Sequence, residues 1–275
     1  MIAKDLTKEY KKVKKECKKL LNIYIDCEWG SNGNYLSLQV MLKTSNGKLH
    51  TLIIIPFRIH LLYKDYIDNT INAYNNDRNN NVDILIKPLE NFTDEVLKWI
   101  DSKESLTDKT TINTHFYYSL RDLECLFGYD FFTKEIIKNH IKTLTNTKGS
   151  LHYKYNDKTI QFKLKDQYGW LKKGGLIKLC ETLGIELKNK GSLDHIKSCM
   201  EKAFENEETF KIFLEYSIED VTCLENTHKN MKDFLNKIMF ETLKIPKNKL
   251  FTTENLPSTF IEKFSHVLII LKKKE

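Results

Sequence analysis

The sequence predicts an α/β or α+β fold, in which a sheet is covered by helices, and three observations lead there. Short β-rich runs crowd the first 56 residues, strand and helix periodicities alternate through the middle, and the chain turns mostly helical beyond residue 174. Its 275 residues suffice for one principal core. Residues 3–20 set Leu6, Tyr10, Val13, Cys17 and Leu20 at helical spacing in a Lys-rich run, which predicts a surface helix with one buried stripe. Residues 22–27, 35–42 and 48–56 are predicted strands, and Ser45-Asn46-Gly47 joins the last two as a hairpin. The Asn-rich stretch 68–82 predicts a loop, followed by a strand over 83–86 and a helix over 93–100. A strand over 110–116 leads into a helix over 119–127, and two alternating runs, 151–155 and 159–164, flank Asn156-Asp157-Lys158 as a second hairpin. Residues 214–227 and 231–245 have the apolar spacing of amphipathic helices.

Composition excludes several classes. Hydrophobic residues at 41% and charged residues at 29% fit a globular chain and are too apolar for a disordered one. No apolar run reaches the roughly 18 residues of a membrane span, and the Lys-rich start lacks the apolar centre of a secretion signal, so an intracellular, soluble protein is expected. The six cysteines are scattered without a C-x-x-C pair, which speaks against a zinc ribbon or a compact disulfide framework. None of the eight histidines forms H-E-x-x-H, and Gly169, Gly174 and Gly175 do not make a phosphate loop. A net charge of +7 favours a polyanionic partner, although much of it can be solvated surface lysine.

Two carboxylate motifs carry chemistry. Asp26 and Glu28 stand two apart at the end of a strand in IYIDCEWG, so both side chains leave the same face, while Cys27 points the other way into the core. Two such charges repel unless a cation lies between them, and hard oxygen donors suit Mg²⁺ or Mn²⁺. Taken alone, such a pair is more often strand-end surface charge. In LEYSIEDVTCLENT, Tyr216 and Asp220 stand four apart, which stacks a phenol and a carboxylate on one face of a helix. An acidic surface helix with a core tyrosine is the plain alternative.

In this order, strand D-x-E and then helical Y-x-x-x-D, the motifs resemble the tyrosine branch of the DEDD 3′-to-5′ exonucleases, nearest to the proofreading domains of family B, protein-primed DNA polymerases. The histidine branch would want His at position 215, where Glu215 stands. The run TIQFKLKDQYGWLKKGGLIKLCETLGIEL also resembles that family. The resemblance implies a ribonuclease H-like, DnaQ-like mixed sheet flanked by helices, and an exonuclease domain over 22–234. Residues 1–21 would then be a separate Lys-rich helix, and 235–275 a helical extension similar to the start of a polymerase portion. It further implies two Mg²⁺ or Mn²⁺ ions held by Asp26, Glu28, Asp122 and Asp220, with Tyr216 orienting the attacking water. Asp122 is taken from THFYYSLRDLECL, where Phe116 replaces the family's Asn and Arg121 replaces its aromatic, with Glu124 and Asp130 as the nearest alternatives. Single-stranded 3′ ends of DNA would be the substrate, contacted by His115, Tyr117 and Lys178, and a DNA polymerase or replication assembly the partner. The rivals are a non-catalytic nucleic-acid-binding or replication-assembly module of the same fold, favoured by the altered motif around Asp122, and an RNA-trimming exonuclease.

Overall fold

The computed structural model describes residues 19–76, 81–118, 120–138, 140–142, 147–170, 175–189, 191–193 and 199–241. The expected N-terminal helix over 3–20 lies outside these residues but for its last two, as does the extension beyond 241. The described residues hold eight strands, β1 (Leu20–Trp29), β2 (Tyr35–Lys43), β3 (Leu49–Pro56), β4 (Val82–Lys87), β5 (Thr111–Phe116), β6 (Ile141–Lys142), β7 (Lys148–Tyr155) and β8 (Lys158–Asp166). They form one mixed sheet in the order β4-β3-β2-β1-β5-β8-β7-β6. The antiparallel meander β1–β2–β3 adjoins β5 and β8, which run parallel to β1, so these three strands end at the same edge of the sheet.

Strands β1 to β3 are apolar on both faces because helices cover both faces. On one face Leu21, Ile23, Ile25 and Cys27 of β1 join Leu38, Val40, Leu52 and Ile54 in the largest core cluster. Helices α2 (Phe92–Lys103), α3 (Leu120–Phe127) and α4 (Tyr129–Ile137) close that face with Phe92, Val96, Leu123, Leu126 and Phe132. The opposite face is covered by α1 (Phe57–Asn76) and α6 (Glu207–Glu241), which bury Ile59, Ile67, Ile71, Phe213 and Leu214 against Leu36, Ile53 and Ile55. The short α5 (Leu176–Thr182) rests on α6 through Leu179, Met231 and Leu235.

The hairpin at 44–48 forms as expected: Gly47 adopts φ +83°, a left-handed conformation that costs glycine little, and donates to the Thr44 carbonyl at 2.9 Å. The loop predicted over 68–82 is corrected, since residues 68–76 continue α1. Ile67, Thr70 and Ile71 recur at helical spacing and are buried, a stripe that the asparagines between them obscure. Asn75 has a specific task at its end, where its amide pairs with both the N–H (2.9 Å) and the carbonyl (3.1 Å) of Ile84 on the outermost strand. Helix α6 joins two expected helices into one rod of 35 residues. Phe210, Phe213, Leu214, Ser217, Asp220, Val221, Leu224, His228 and Met231 make a buried stripe at helical spacing, and the burial widens around residues 223–227, where Cys223, Glu225 and Thr227 are buried too.

Candidate metal centre

Strand alternation sends Asn22, Tyr24, Asp26 and Glu28 to the face beneath α6. Tyr24 reaches α6, packing with Val221 and Leu224 and sharing a 2.8 Å hydrogen bond with His228 Nδ1. Two residues further along β1 stands Asp26, and two turns before His228 on α6 stands Asp220. One oxygen from each of Asp26, Glu28 and Asp220 lies within 4.8 Å of the other two. Asp220 is buried, whereas Asp26 and Glu28 are half-buried. The strand register shifts between Glu28 and Trp29, a bulge that turns the end of β1 just past the carboxylates.

Three carboxylates this close are a strongly repulsive arrangement at neutral pH unless a cation or protons compensate. The donor set fits a divalent ion: oxygens bound to one Mg²⁺ at about 2.1 Å stand about 3.0 Å apart when adjacent and about 4.2 Å apart when opposite, so the cluster would tighten around a bound ion. All three donors are hard oxygens, which favours Mg²⁺ or Mn²⁺ over thiolate- or imidazole-seeking metals. Tyr216 lies one helical turn before Asp220, half-buried and packed against the apolar cluster of α1 and α6. Of the five expected catalytic side chains, Asp26, Glu28 and Asp220 therefore converge and Tyr216 adjoins them in sequence on α6.

Asp122 departs from the expectation. It stands in the first turn of α3, fully buried, and is not among the three converging carboxylates. Its Oδ1 accepts a 3.1 Å hydrogen bond from the thiol of Cys27, the β1 residue that points away from Asp26 and Glu28. Its helix neighbours Leu123 and Leu126 are buried in the same core cluster as Cys27. Burial, a hydrogen bond with Cys125 and the charge of Asp122 push the Cys27 thiol well up, which keeps it a neutral donor. Glu124 is also committed elsewhere, accepting from the Tyr35 hydroxyl at 3.4 Å.

The expected nucleic-acid contacts are corrected in part. His115 is 3% exposed, stacked on Tyr24 at 4.9 Å and packed on His228 at 4.2 Å, with Nε2 3.2 Å from Asn22 Oδ1, so it is out of reach of a ligand. Burial, His228 and Lys165 hold its imidazole well below the ordinary value and therefore neutral. Tyr117 is half-buried, and burial together with Tyr168 and Asp166 raises its phenol to about 12. Lys178 is exposed on α5.

An accessible aromatic is Tyr118, 65% exposed at φ +59° and packed on Tyr168 with ring centroids 4.2 Å apart and the planes tilted by 37°. Asp166 at the end of β8 fixes this unusual backbone, its carboxylate accepting from the N–H groups of Tyr118, Tyr168 and Thr147, each at 3.0 Å. The pairing of an aspartate on one strand with a turn 48 residues earlier leaves no local signal in the sequence. Trp29, just past the bulge, is 40% exposed and carries the Arg121 guanidinium 5.1 Å from its ring. Beyond it, the Glu201 carboxylate occupies the space where a side chain at Gly30 would stand, and it accepts from the Ser31 hydroxyl at 3.2 Å.

No family model, no curated protein and no solved structure matches the chain. Among the described residues, no helix is long and apolar enough to cross a membrane.

Proposed function

We propose that this chain is a metal-dependent 3′-to-5′ exonuclease that removes nucleotides from single-stranded or frayed DNA ends, in proofreading or end processing. The observation that carries the proposal is the convergence of Asp26, Glu28 and Asp220 from β1 and α6, with Tyr216 one turn before Asp220. A mixed α/β sheet with the D-x-E strand in its interior and helices on both faces is compatible with the ribonuclease H-like fold that such chemistry uses.

When bound, Mg²⁺ or Mn²⁺ would supply an activated water and stabilise the charge that develops on the departing 3′ oxygen. The chain's own residues have separate tasks. Asp26, Glu28 and Asp220 hold the cations and place them at the shared end of β1, β5 and β8, where ligands of α/β sheets commonly bind. A phenol with an ordinary pKa near 10 is a weak base at neutral pH, so Tyr216 orients the attacking water by hydrogen bonding and does not deprotonate it. At the same edge Tyr118 and Tyr168 offer an exposed ring on which a base can stack, and Lys178 a cation for the phosphates.

Asp122 gives a second reading its support. With that carboxylate given to Cys27 outside the cluster, a fold retained for nucleic-acid or replication-assembly docking without catalysis is the rival. The test is incubation of single-stranded DNA and RNA oligonucleotides with Mg²⁺ or Mn²⁺ and the wild type, Asp26→Ala or Asp220→Ala protein. Metal-dependent degradation of DNA that both substitutions abolish supports the exonuclease. Preferred degradation of RNA makes it an RNA-trimming enzyme, and equal inertness of all three proteins with strand binding intact makes it a docking module.

A further inference from the structure

The cluster of Asp26, Glu28 and Asp220 has a neutral polar neighbour on β2. Gln39 on β2 is paired with Asp26 and Ser37 with Glu28, so both share the carboxylates' face of the sheet. Gln39 is completely buried, and its Nε2 donates a 2.6 Å hydrogen bond to Ser37 Oγ. That bond leans the side chain along β2 from the level of Asp26 toward the level of Glu28. The other end of the amide, Oε1, is closed to solvent and has no hydrogen-bond partner among the described residues.

Helix α6 closes the site from above. Phe213 and Leu214 belong to the cluster of Leu36, and Val221 and Leu224 to that of Met41, so the intervening turn with Ser217 and Asp220 lies over Gln39. Ser217 Oγ is likewise buried without a hydrogen-bond partner among the described residues. Buried acceptors left this way are uncommon, because each forfeits its hydration. Neighbouring carboxylates have no proton to donate, and Oε1 is sealed from a water-sized group, whereas a small divalent ion needs less room and bonds well to amide oxygen.

We propose that Gln39 Oε1 is a further, uncharged oxygen ligand to the cation held by Asp26, Glu28 and Asp220. The inference rests on the metal-binding reading above and adds to it a ligand on β2. It lets the site gain a donor without a fourth negative charge beside three that already repel, and the Ser37 hydroxyl holds the amide with its oxygen turned toward the ion.

The test is Mn²⁺ binding followed by electron paramagnetic resonance, with no nucleic acid present, on the wild type, Gln39→Met, Gln39→Glu and Asp26→Ala. Gln39→Met keeps length and volume without the oxygen. It should bind Mn²⁺ at least about tenfold more weakly, a loss usual even for groups one layer further from a metal. Its thermal midpoint in chelator should change little, since removal of a buried acceptor without a partner offsets loss of the bond to Ser37. Gln39→Glu keeps the oxygen and should bind at least as tightly as the wild type. Wild-type affinity in Gln39→Met would overturn the assignment, as would equal loss in Gln39→Glu and Gln39→Met, which would mean that the amide serves as a donor. If the wild type binds no better than Asp26→Ala, the metal site itself is refuted and Gln39 with it.

Discussion

Replacing Asp220 by Asn should make the metal-free protein more stable and the metal-loaded one less responsive. The substitution keeps the size of a buried side chain, so no cavity opens, and it removes one of three charges whose oxygens lie within 4.8 Å of one another. At that separation and an effective dielectric constant of about 20, each pair costs about 3 kcal/mol. Two of the three pairs vanish, and the half-exposure of Asp26 and Glu28 lowers the yield to about 2–3 kcal/mol. For a domain of this size that is a rise of roughly 5–10 °C in thermal midpoint. Ligand binding works in the opposite direction: an ion at about 100 times its Kd stabilises the wild type by about 2.7 kcal/mol, and a variant that no longer binds gains nothing. Thermal denaturation in chelator and then across a Mn²⁺ titration should therefore show two curves that start apart, with Asp220→Asn higher, and converge as the wild type alone rises. If Asp220→Asn is less stable in chelator, and both proteins shift equally with Mn²⁺, the three carboxylates are not a cation site.

Three further outcomes follow from particular contacts. Tyr216→Phe should lower the rate of nucleotide release by about 10- to 100-fold while leaving Mn²⁺ affinity unchanged, because the phenol is assigned to the water and not to the ion; single-turnover kinetics beside a binding titration would separate the two. Asp122→Asn should leave Mn²⁺ affinity within about twofold of the wild type, since that carboxylate bonds to Cys27 outside the cluster; a loss as large as that of Asp26→Asn would place it in the metal shell after all. His115 is held neutral in the fold while its unfolded counterpart takes up a proton below about pH 6.5, so it contributes stability that is complete above that pH and lost as pH falls toward its depressed folded value. Urea midpoints between pH 4.5 and 7 should accordingly decline with acid in the wild type and decline less in His115→Gln, by up to about 1.4 kcal/mol per pH unit.

The parts of the fold legible in the sequence are those with strong local periodicity. The runs of β1, β2 and β3, with the Gly47 turn between the last two, announce themselves through β-branched residues and a turn dipeptide, and α6 through its regular apolar steps. Helix α1 was obscured because Asn-rich composition outweighs three buried residues, Ile67, Thr70 and Ile71, in a count of propensities, while tertiary burial decides the structure. In the candidate site, strand and helix periods say that Asp26 shares a face with Glu28 and Tyr216 with Asp220, and the resemblance to the DEDD exonucleases joined the two motifs into one expected site. Asp122 could not be placed that way. Whether a carboxylate in the first turn of α3 reaches the top of the sheet or its underside depends on how Leu123 and Leu126 seat, which is a matter of packing. His115 reads as a polar ligand in the sequence and proves to be a buried ring between Tyr24 and His228. Gln39 and Asp166 were invisible for a related reason: each acquires its meaning from a partner strand or turn that the sequence does not bring near.

The most direct measurement is to follow one single-stranded DNA oligonucleotide labelled at its 5′ end and, separately, at its 3′ end, in Mg²⁺ or Mn²⁺ with wild-type protein and Asp26→Ala. A 3′-to-5′ exonuclease releases the 3′ label as a mononucleotide in its first turnover and shortens the 5′-labelled strand as a ladder, and both products disappear with chelator or with Asp26→Ala. Release of the 5′ label first, internal cleavage, or degradation that survives in Asp26→Ala would contradict an exonuclease built on Asp26, Glu28 and Asp220.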